Sequence, residues 1–186
     1  MIAEMIDPTK RPRIESAATP ASAGRPRSLD GLRIGLLGNT KRNADLILDA
    51  VGAQLARRAD AVTLVPRTKT QFAMPLPVDL IEELIRECDV VVIGVGDCGS
   101  CSASAVADGI ALERVGIPTA VVCTDAFVDP SAAMAGLKGA PDFPFLLTPH
   151  PIANLAVDEI LERGAQLADG VLHRLIDEPA LVAATA

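Results

Sequence analysis

Apolar positions along the chain fall into two alternating patterns. Leu32-Arg33-Ile34-Gly35-Leu36-Leu37 is a short apolar run closed by Gly38-Asn39, the mark of a strand. Leu46, Ile47, Ala50, Val51 and Leu55 then recur at helical spacing. A second strand is expected over residues 61–65, stopped by Pro66, with a loop over 66–77. A helix is expected over 78–88, with Pro77 at its start. Val90-Val91-Val92-Ile93-Gly94-Val95 is the strongest strand pattern in the chain. Continuous β-branched runs of this kind belong to strands buried on both faces of a parallel sheet. A helix follows over 102–115 and ends at Gly116, and Pro118 precedes a fourth strand over 119–123. A fifth strand is expected over 145–148. The closing amphipathic helix carries Leu155, Ile160, Leu161, Leu167, Val171, Leu172, Leu175 and Ile176 along one side.

Five strands alternating with helices predict an α/β fold with one doubly wound parallel sheet in a three-layer α/β/α sandwich. The expected strand order is 2-1-3-4-5, the flavodoxin-like order. Outside this pattern, residues 1–29 mix Pro, Ala, Ser, Thr and Arg without periodicity and are expected to form a disordered tail. The domain is then 30–178, and 179–186 a second, shorter tail. Order 2-1-3-4-5 reverses between strands one and three, and ligands bind beyond the carboxyl ends of the strands at such a reversal. The loops placed there are Gly38-Asn39-Thr40 and Gly96-Asp97-Cys98-Gly99-Ser100-Cys101. Cys123-Thr124-Asp125 and Thr148-Pro149-His150-Pro151 join them on the same rim.

Composition narrows the function classes. The 186 residues are 49% hydrophobic, enough for one sizeable core, but only 2% aromatic, with four Phe and no Trp or Tyr. Such scarcity counts against base-stacking platforms, and a net charge of −7 lacks the basic footprint of a nucleic-acid binder. No apolar run approaches the ~20 residues that span a bilayer. Met1 to Asp7 carry acids and no basic or apolar leader, so a cytoplasmic protein with no nucleic-acid or membrane partner is expected.

The four cysteines carry the candidate chemistry. Cys88, at a helix-to-strand junction, reads as an inert buried side chain. Cys98 and Cys101 form a C-x-x-C between a buried strand and a helix, where unpaired amides and the helix dipole favour a thiolate. The arrangement suits a nucleophile at 98 and a resolving thiol at 101. Zinc is the main competing reading, and only Cys123 and His150 could complete a four-ligand set, so no metal is assigned. Two buried thiols without chemistry are a third reading. Cys123 ends a strand near the rim and reads equally as core or as active-site wall. Asp97 and Asp125 suit either a catalytic proton or turns and caps. His150, between two prolines, is a candidate acid/base or substrate-orienting group, whereas His173 reads as a surface residue. Glu113 and Arg114 read as a solvated helix face.

Gly96 and Gly99 would let a ligand approach the backbone, with hydroxyls from Ser100 or Ser102 beside it. Asn39-Thr40-Lys41-Arg42-Asn43 could hold an anion at the start of the first helix. The segment lacks the spacing of a P-loop and of the dinucleotide fingerprint, so no cofactor is expected and a carboxylate-bearing substrate fits at least as well.

Taken in order, Gly96-Asp97-Cys98-Gly99-Ser100-Cys101, then Glu113-Arg114-Val115-Gly116-Ile117-Pro118, Val121-Val122-Cys123-Thr124 and Pro149-His150-Pro151 resemble the UGSC (seleno)protein family. The first motif position is selenocysteine in some members and cysteine in others; here it is Cys98. The succession is also similar to the end of the selenoprotein B subunits of glycine, sarcosine and betaine reductases. It covers roughly residues 32–155. The resemblance implies a chalcogen nucleophile that attacks carbon beside a carboxylate, displaces an amine and leaves an adduct for a second thiol to resolve. Carried over, Cys98 attacks and Cys101 resolves. Two departures bear on the transfer: cysteine is the weaker nucleophile and leaving group, and this chain is much shorter than those subunits.

The leading expectation is an enzyme that uses Cys98 covalently on a small carboxylate-bearing substrate, cleaving a carbon–heteroatom bond reductively or by elimination. His150 orients substrate or donates a proton. Asn39, Thr40, Gly99, Ser100 and Thr124 hold substrate, and a thiol reductant protein restores the cysteines. One alternative is a cofactor-free lyase or isomerase with Cys98 and Cys123 facing each other as proton carriers. Another is a subunit, homo-oligomeric or completed by a partner chain, with residues 1–29 as docking arm. A redox sensor is a lesser alternative.

Overall fold

A computed structural model of the chain describes residues 22–177. Five strands, β1 (Arg33–Gly38), β2 (Thr63–Thr68), β3 (Val90–Gly96), β4 (Thr119–Thr124) and β5 (Leu146–Thr148), form one sheet in the order β2-β1-β3-β4-β5. Every pairing is parallel, as the expected doubly wound, flavodoxin-like order requires. Side-chain alternation divides the core in two. Ile34, Leu36, Val90, Val92, Ala120 and Val122 pack under α1 (Ala44–Ala56) and α5 (Val157–Leu175). Leu37, Val91, Ile93, Val121 and Cys123 pack under α2 (Val78–Glu87), α3 (Gly99–Arg114) and α4 (Val128–Leu137). The alternation slips by one residue at the end of β3, where the Gly94–Val95 peptide is cis and pairing with β4 jumps from Ile93 to Gly96.

Several boundaries depart from the sequence expectation. β2 runs through Pro66 instead of stopping at it: β2 is an edge strand, where a missing N–H is tolerated. The third helix starts at Gly99, three residues earlier than expected, because the Cys98 sulfur accepts the Cys101 amide and caps the first turn. The helix α4 has no counterpart in the expectation. It buries only Ser131 and Ala135 and carries Pro130 in its first turn, so it offers no strong apolar stripe to read.

The expected tail over 1–29 is also corrected where the structure describes it. Leu29 belongs to the core, Ala23 is buried, and the Asp177 amide donates to the Pro26 carbonyl. Glu113, expected on a solvated face, explains this docking, because its side chain is fully buried. Its carboxylate accepts from Ala23 N at 2.6 Å, from Arg25 at 2.6 and 2.8 Å, and from Thr119 N and Oγ1 at 2.7 and 3.0 Å. A buried carboxylate needs that many donors, and the arm supplies three of them. The readings of 1–21 and 179–186 as tails lie outside the described residues. Among the described residues, no helix is long and apolar enough to cross a membrane.

Candidate functional site

The carboxyl ends of β3, β4 and β5 bring their following loops together. β3 ends at Gly96, and this glycine is fixed by internal packing. A Cβ there would lie 2.6 Å from Ser102 Oγ, 2.8 Å from Cys123 Sγ and 2.8 Å from the Ser102 Cα. At Gly99 a Cβ would meet nothing within 4 Å, so of the two glycines only the second leaves room for an approaching ligand.

Cys98 and Cys101 are joined by a disulfide at the first turn of α3, with Cα atoms 5.3 Å apart. Cys98 is half-buried and Cys101 fully buried. The Cys98 sulfur accepts the Cys101 amide at 3.3 Å and lies 3.6 Å from the exposed Ser100 hydroxyl. Donors around the sulfur and the helix N-terminus favour its anionic form once the pair is reduced.

Cys123, read beforehand as either core or wall, lies in the core. It is fully buried, and burial pushes its thiol up to about 11 against opposing contacts from Ser131 and Ser102. Cys88 is buried as expected and is likewise pushed up to about 11 by burial. Neither is a nucleophile at neutral pH. Among the described residues there is no group of three His, Cys, Asp or Glu side chains able to hold a metal ion.

His150 stands on the loop after β5, followed by a cis bond to Pro151. Its Nδ1 is 3.0 Å from Asp97 Oδ1 and 3.2 Å from Thr124 Oγ1, and its ring meets Phe127 edge-on at 5.3 Å between centroids. The His150 amide donates to Asp125 Oδ1 at 3.0 Å. Asp97 also accepts the amides of Ile152 and Ala153 at 3.0 and 2.9 Å, the loop-capping use open to an aspartate there. Arg163 of α5 steadies the same loop through Pro149 O and Thr148 Oγ1.

The expected substrate-holding residues divide. Thr124 is fully buried and donates its hydroxyl to Gly96 O at 3.1 Å, so it faces His150 and not solvent. Asn39 is buried and spends its amide group on Val95 O and its carbonyl on the Lys41 amide. The Asn43 side chain, placed in the anion-holding segment beforehand, donates instead to the carbonyls of Ile152, Ala153 and Leu155. Thr40, Gly99 and Ser100 remain on the accessible rim.

Sequence reasoning missed one polar cluster beside this rim. Lys69, just past β2, is buried, with its ammonium on Ser104 Oγ and the Asp108 carboxylate. Asp108 also accepts the Leu76 amide at 3.0 Å, and Ser104 donates to Met74 O at 2.9 Å, so the cluster ties the loop after β2 to α3. Burial raises the Asp108 carboxyl, opposed by Lys69. The only sequence signal was an aspartate four residues, about one turn, beyond Ser104 on the same helix face, too weak to name a partner. Lys69 and Asp108 border a small cleft with Asn39 and Phe72, with room of only about 10 Å³, far below the several hundred Å³ typical of small-molecule pockets.

A search of curated proteins finds no match for this chain. Among solved structures, a flavodoxin-like domain from Synechococcus sp. is 16% identical, with 76% of this chain and 98% of that chain covered and a TM-score of 0.35. The fold assignment rests on the strand order and not on that likeness. The UGSC family model matches residues 4–177, well beyond the 32–155 carried by the motifs, and so takes in the docked arm and all of α5. With its Cys-Gly-Ser-Cys turn at the mouth of a 2-1-3-4-5 sheet and a match over nearly its whole length, the chain belongs to the UGSC family.

Proposed function

We propose that the protein is a cysteine-dependent enzyme that cleaves a carbon–heteroatom bond in a small carboxylate-bearing substrate. The observation that carries this reading is the bonded Cys98–Cys101 pair at an open helix N-terminus on the ligand-binding rim of the sheet. In the reduced enzyme the Cys98 thiolate attacks the carbon bearing the heteroatom. A C–S bond forms, and the heteroatom leaves with the C–X electron pair and a proton. The Cys101 thiolate then attacks the Cys98 sulfur, the S–S bond forms, and the carbon takes the C–S pair and a second proton. Two thiols are thereby oxidised to the disulfide as R–X becomes R–H and HX, and a thiol reductant protein returns the pair to the start. The Ser100 hydroxyl and the amides of Gly99 and Ser100 are the donors best placed for the substrate carboxylate, since Asn39, Thr124 and the Cys101 amide are committed within the fold.

The motif order from Gly96 to Pro151, which resembles that of reductase selenoprotein B subunits, implies the same order of events. The lyase or isomerase alternative with Cys98 and Cys123 as facing proton carriers loses its second thiol to burial.

The test is the pH dependence of iodoacetamide labelling at each cysteine, read by mass spectrometry after reduction. Cys98 is expected to label with an apparent pKa well below the free-thiol value of about 8.5, and mild oxidation to link it to Cys101. Labelling of Cys98 as an ordinary thiol would overturn the reading.

A further inference from the structure

We propose that Asp97 is the positioning carboxylate of His150, and that Nε2 of His150 carries the proton for the reaction at Cys98. This rests on the thiol reading above and names the group that serves it. The argument is one of donors and acceptors around a single ring nitrogen. Thr124 has one hydroxyl hydrogen, and Gly96 O receives it at 3.1 Å, so toward His150 the hydroxyl oxygen is an acceptor. Asp97 Oδ1, 3.0 Å from the same nitrogen, is an acceptor too. A nitrogen facing two acceptors must bear the hydrogen, which makes the neutral ring the Nδ1–H tautomer and leaves the lone pair on Nε2. Nε2 has no partner among the described residues, and the side chain is 36% exposed while that of Asp97 is 5% exposed.

The ring is held as a proton carrier needs to be. Charged groups of three elements hold the ring and its loop: Asp97 on the β3–α3 loop meets Nδ1, Asp125 on the short 3-10 turn (Asp125–Phe127) after β4 takes the His150 amide, and Arg163 on α5 grips the loop through Pro149. Asp97 immediately precedes Cys98, so the carboxylate that orients the imidazole and the sulfur it serves share one loop. When Nε2 takes the proton from the Cys98 thiol, the imidazolium charge forms 3.0 Å from a carboxylate excluded from water. The proton then passes from Nε2 to the departing heteroatom as the C–X bond breaks, and the ring returns to the Nδ1–H form.

The test uses the full reduced chain labelled with ¹⁵N. Long-range ¹H–¹⁵N spectra above the histidine titration report the tautomer directly. His150 and His173 are the chain's two histidines, and a His173→Gln variant assigns the signals. The wild type is expected to show a pyrrole-type Nδ1 and an imine-type Nε2, a result that requires no variant to fold. Asp97→Asn is expected to shift the population toward Nε2–H and to slow Cys98 labelling near neutral pH about tenfold, one unit in the profile. An Nε2–H wild type overturns the proposal, as does a folded Asp97→Asn protein with an unchanged Cys98 profile. If Cys98 labels as an ordinary thiol while the spectrum shows the Nδ1–H form, the proposed function falls and the proton-carrying role with it, but the Asp97–His150 pairing stands.

Discussion

The two ends of α3 make opposite use of charge. At its C-terminal end Glu113 is fully buried and its carboxylate is closed by five hydrogen bonds from the docked arm and from Thr119. At its N-terminal end Cys98 is half-buried, its sulfur meeting one amide and one hydroxyl, and on the loop after β5 Nε2 of His150 has no partner among the described residues. A site with every lone pair taken is a fastening, because any reaction there would first have to break several hydrogen bonds. Reactive capacity is left where polar groups are oriented but not all satisfied. The difference separates structure from chemistry on a single helix.

The comparison breaks most sharply at Cys98. Cys98→Ser is expected to lower turnover by at least about a thousandfold, measured as thiol-dependent consumption of small α-substituted acids. Against the reduced wild type, in which the Cys98–Cys101 bond is open, stability should hold to within roughly 1 kcal/mol, since serine caps a helix as well as the thiol does. Full activity in that variant would remove the chemical end of the contrast.

Glu113→Ala is the complementary change. It leaves Arg25 without its partner and should cost about 3–5 kcal/mol, seen as a fall in Tm of roughly 10 °C or more for a chain this size. Cys98 labelling, measured well below that Tm, should be unaltered. A simultaneous loss of labelling would show that the two ends are coupled through the helix.

Alkaline pH probes the core between them. Native Cys123 holds its proton up to about 11, whereas the unfolded thiol releases it near 9.0. Over that interval the native state binds more protons than the unfolded one, so stability falls as pH rises, by an amount of the order of 2 kcal/mol for this thiol. Denaturant midpoints taken between about pH 8.5 and 11 should show the decline; Cys88, raised to the same value, adds a like share, so Cys123→Ala should make the slope shallower and the double Cys88/Cys123 alanine variant shallower still.

The mildest pair of changes lies within the motif loop. Gly96→Ala drives a methyl into Ser102 and the Cys123 sulfur and should cost about 1–3 kcal/mol. Gly99→Ala meets open space and should change stability by less than about 0.5 kcal/mol, while raising KM if substrate approaches there. Equal effects of the two on stability would mean that the loop is not divided into a packed half and an open half.

The architecture was legible because its signals are local. The run Val90–Val95, continuous and β-branched, is typical of a strand buried on both faces, and five strands alternating with helices leave few topologies for a parallel sheet. The C-x-x-C between strand and helix likewise places Cys98 and Cys101 at a helix start from sequence alone. The extent of β2 was misread because Pro66 is a stop signal only in a central strand, and edge position is a property of the sheet. Glu113 was misread as solvated because its partner Arg25 lies 88 residues away, in a segment without periodicity.

The sequence by itself determined the five strands, every helix but α4, the doubly wound order and the rim on which Cys98, Cys101 and His150 gather, since hydrophobic period and turn residues act over a few positions. Tertiary structure alone decided which polar groups are used up and which remain available. It buried Cys123, closed Asn39 and Thr124 into the scaffold, paired Lys69 with Asp108, and set Asp97 against Nδ1 of His150. Those outcomes depend on distances between residues far apart in the chain and on the exclusion of water. Neither of these is recorded in the spacing of residue types.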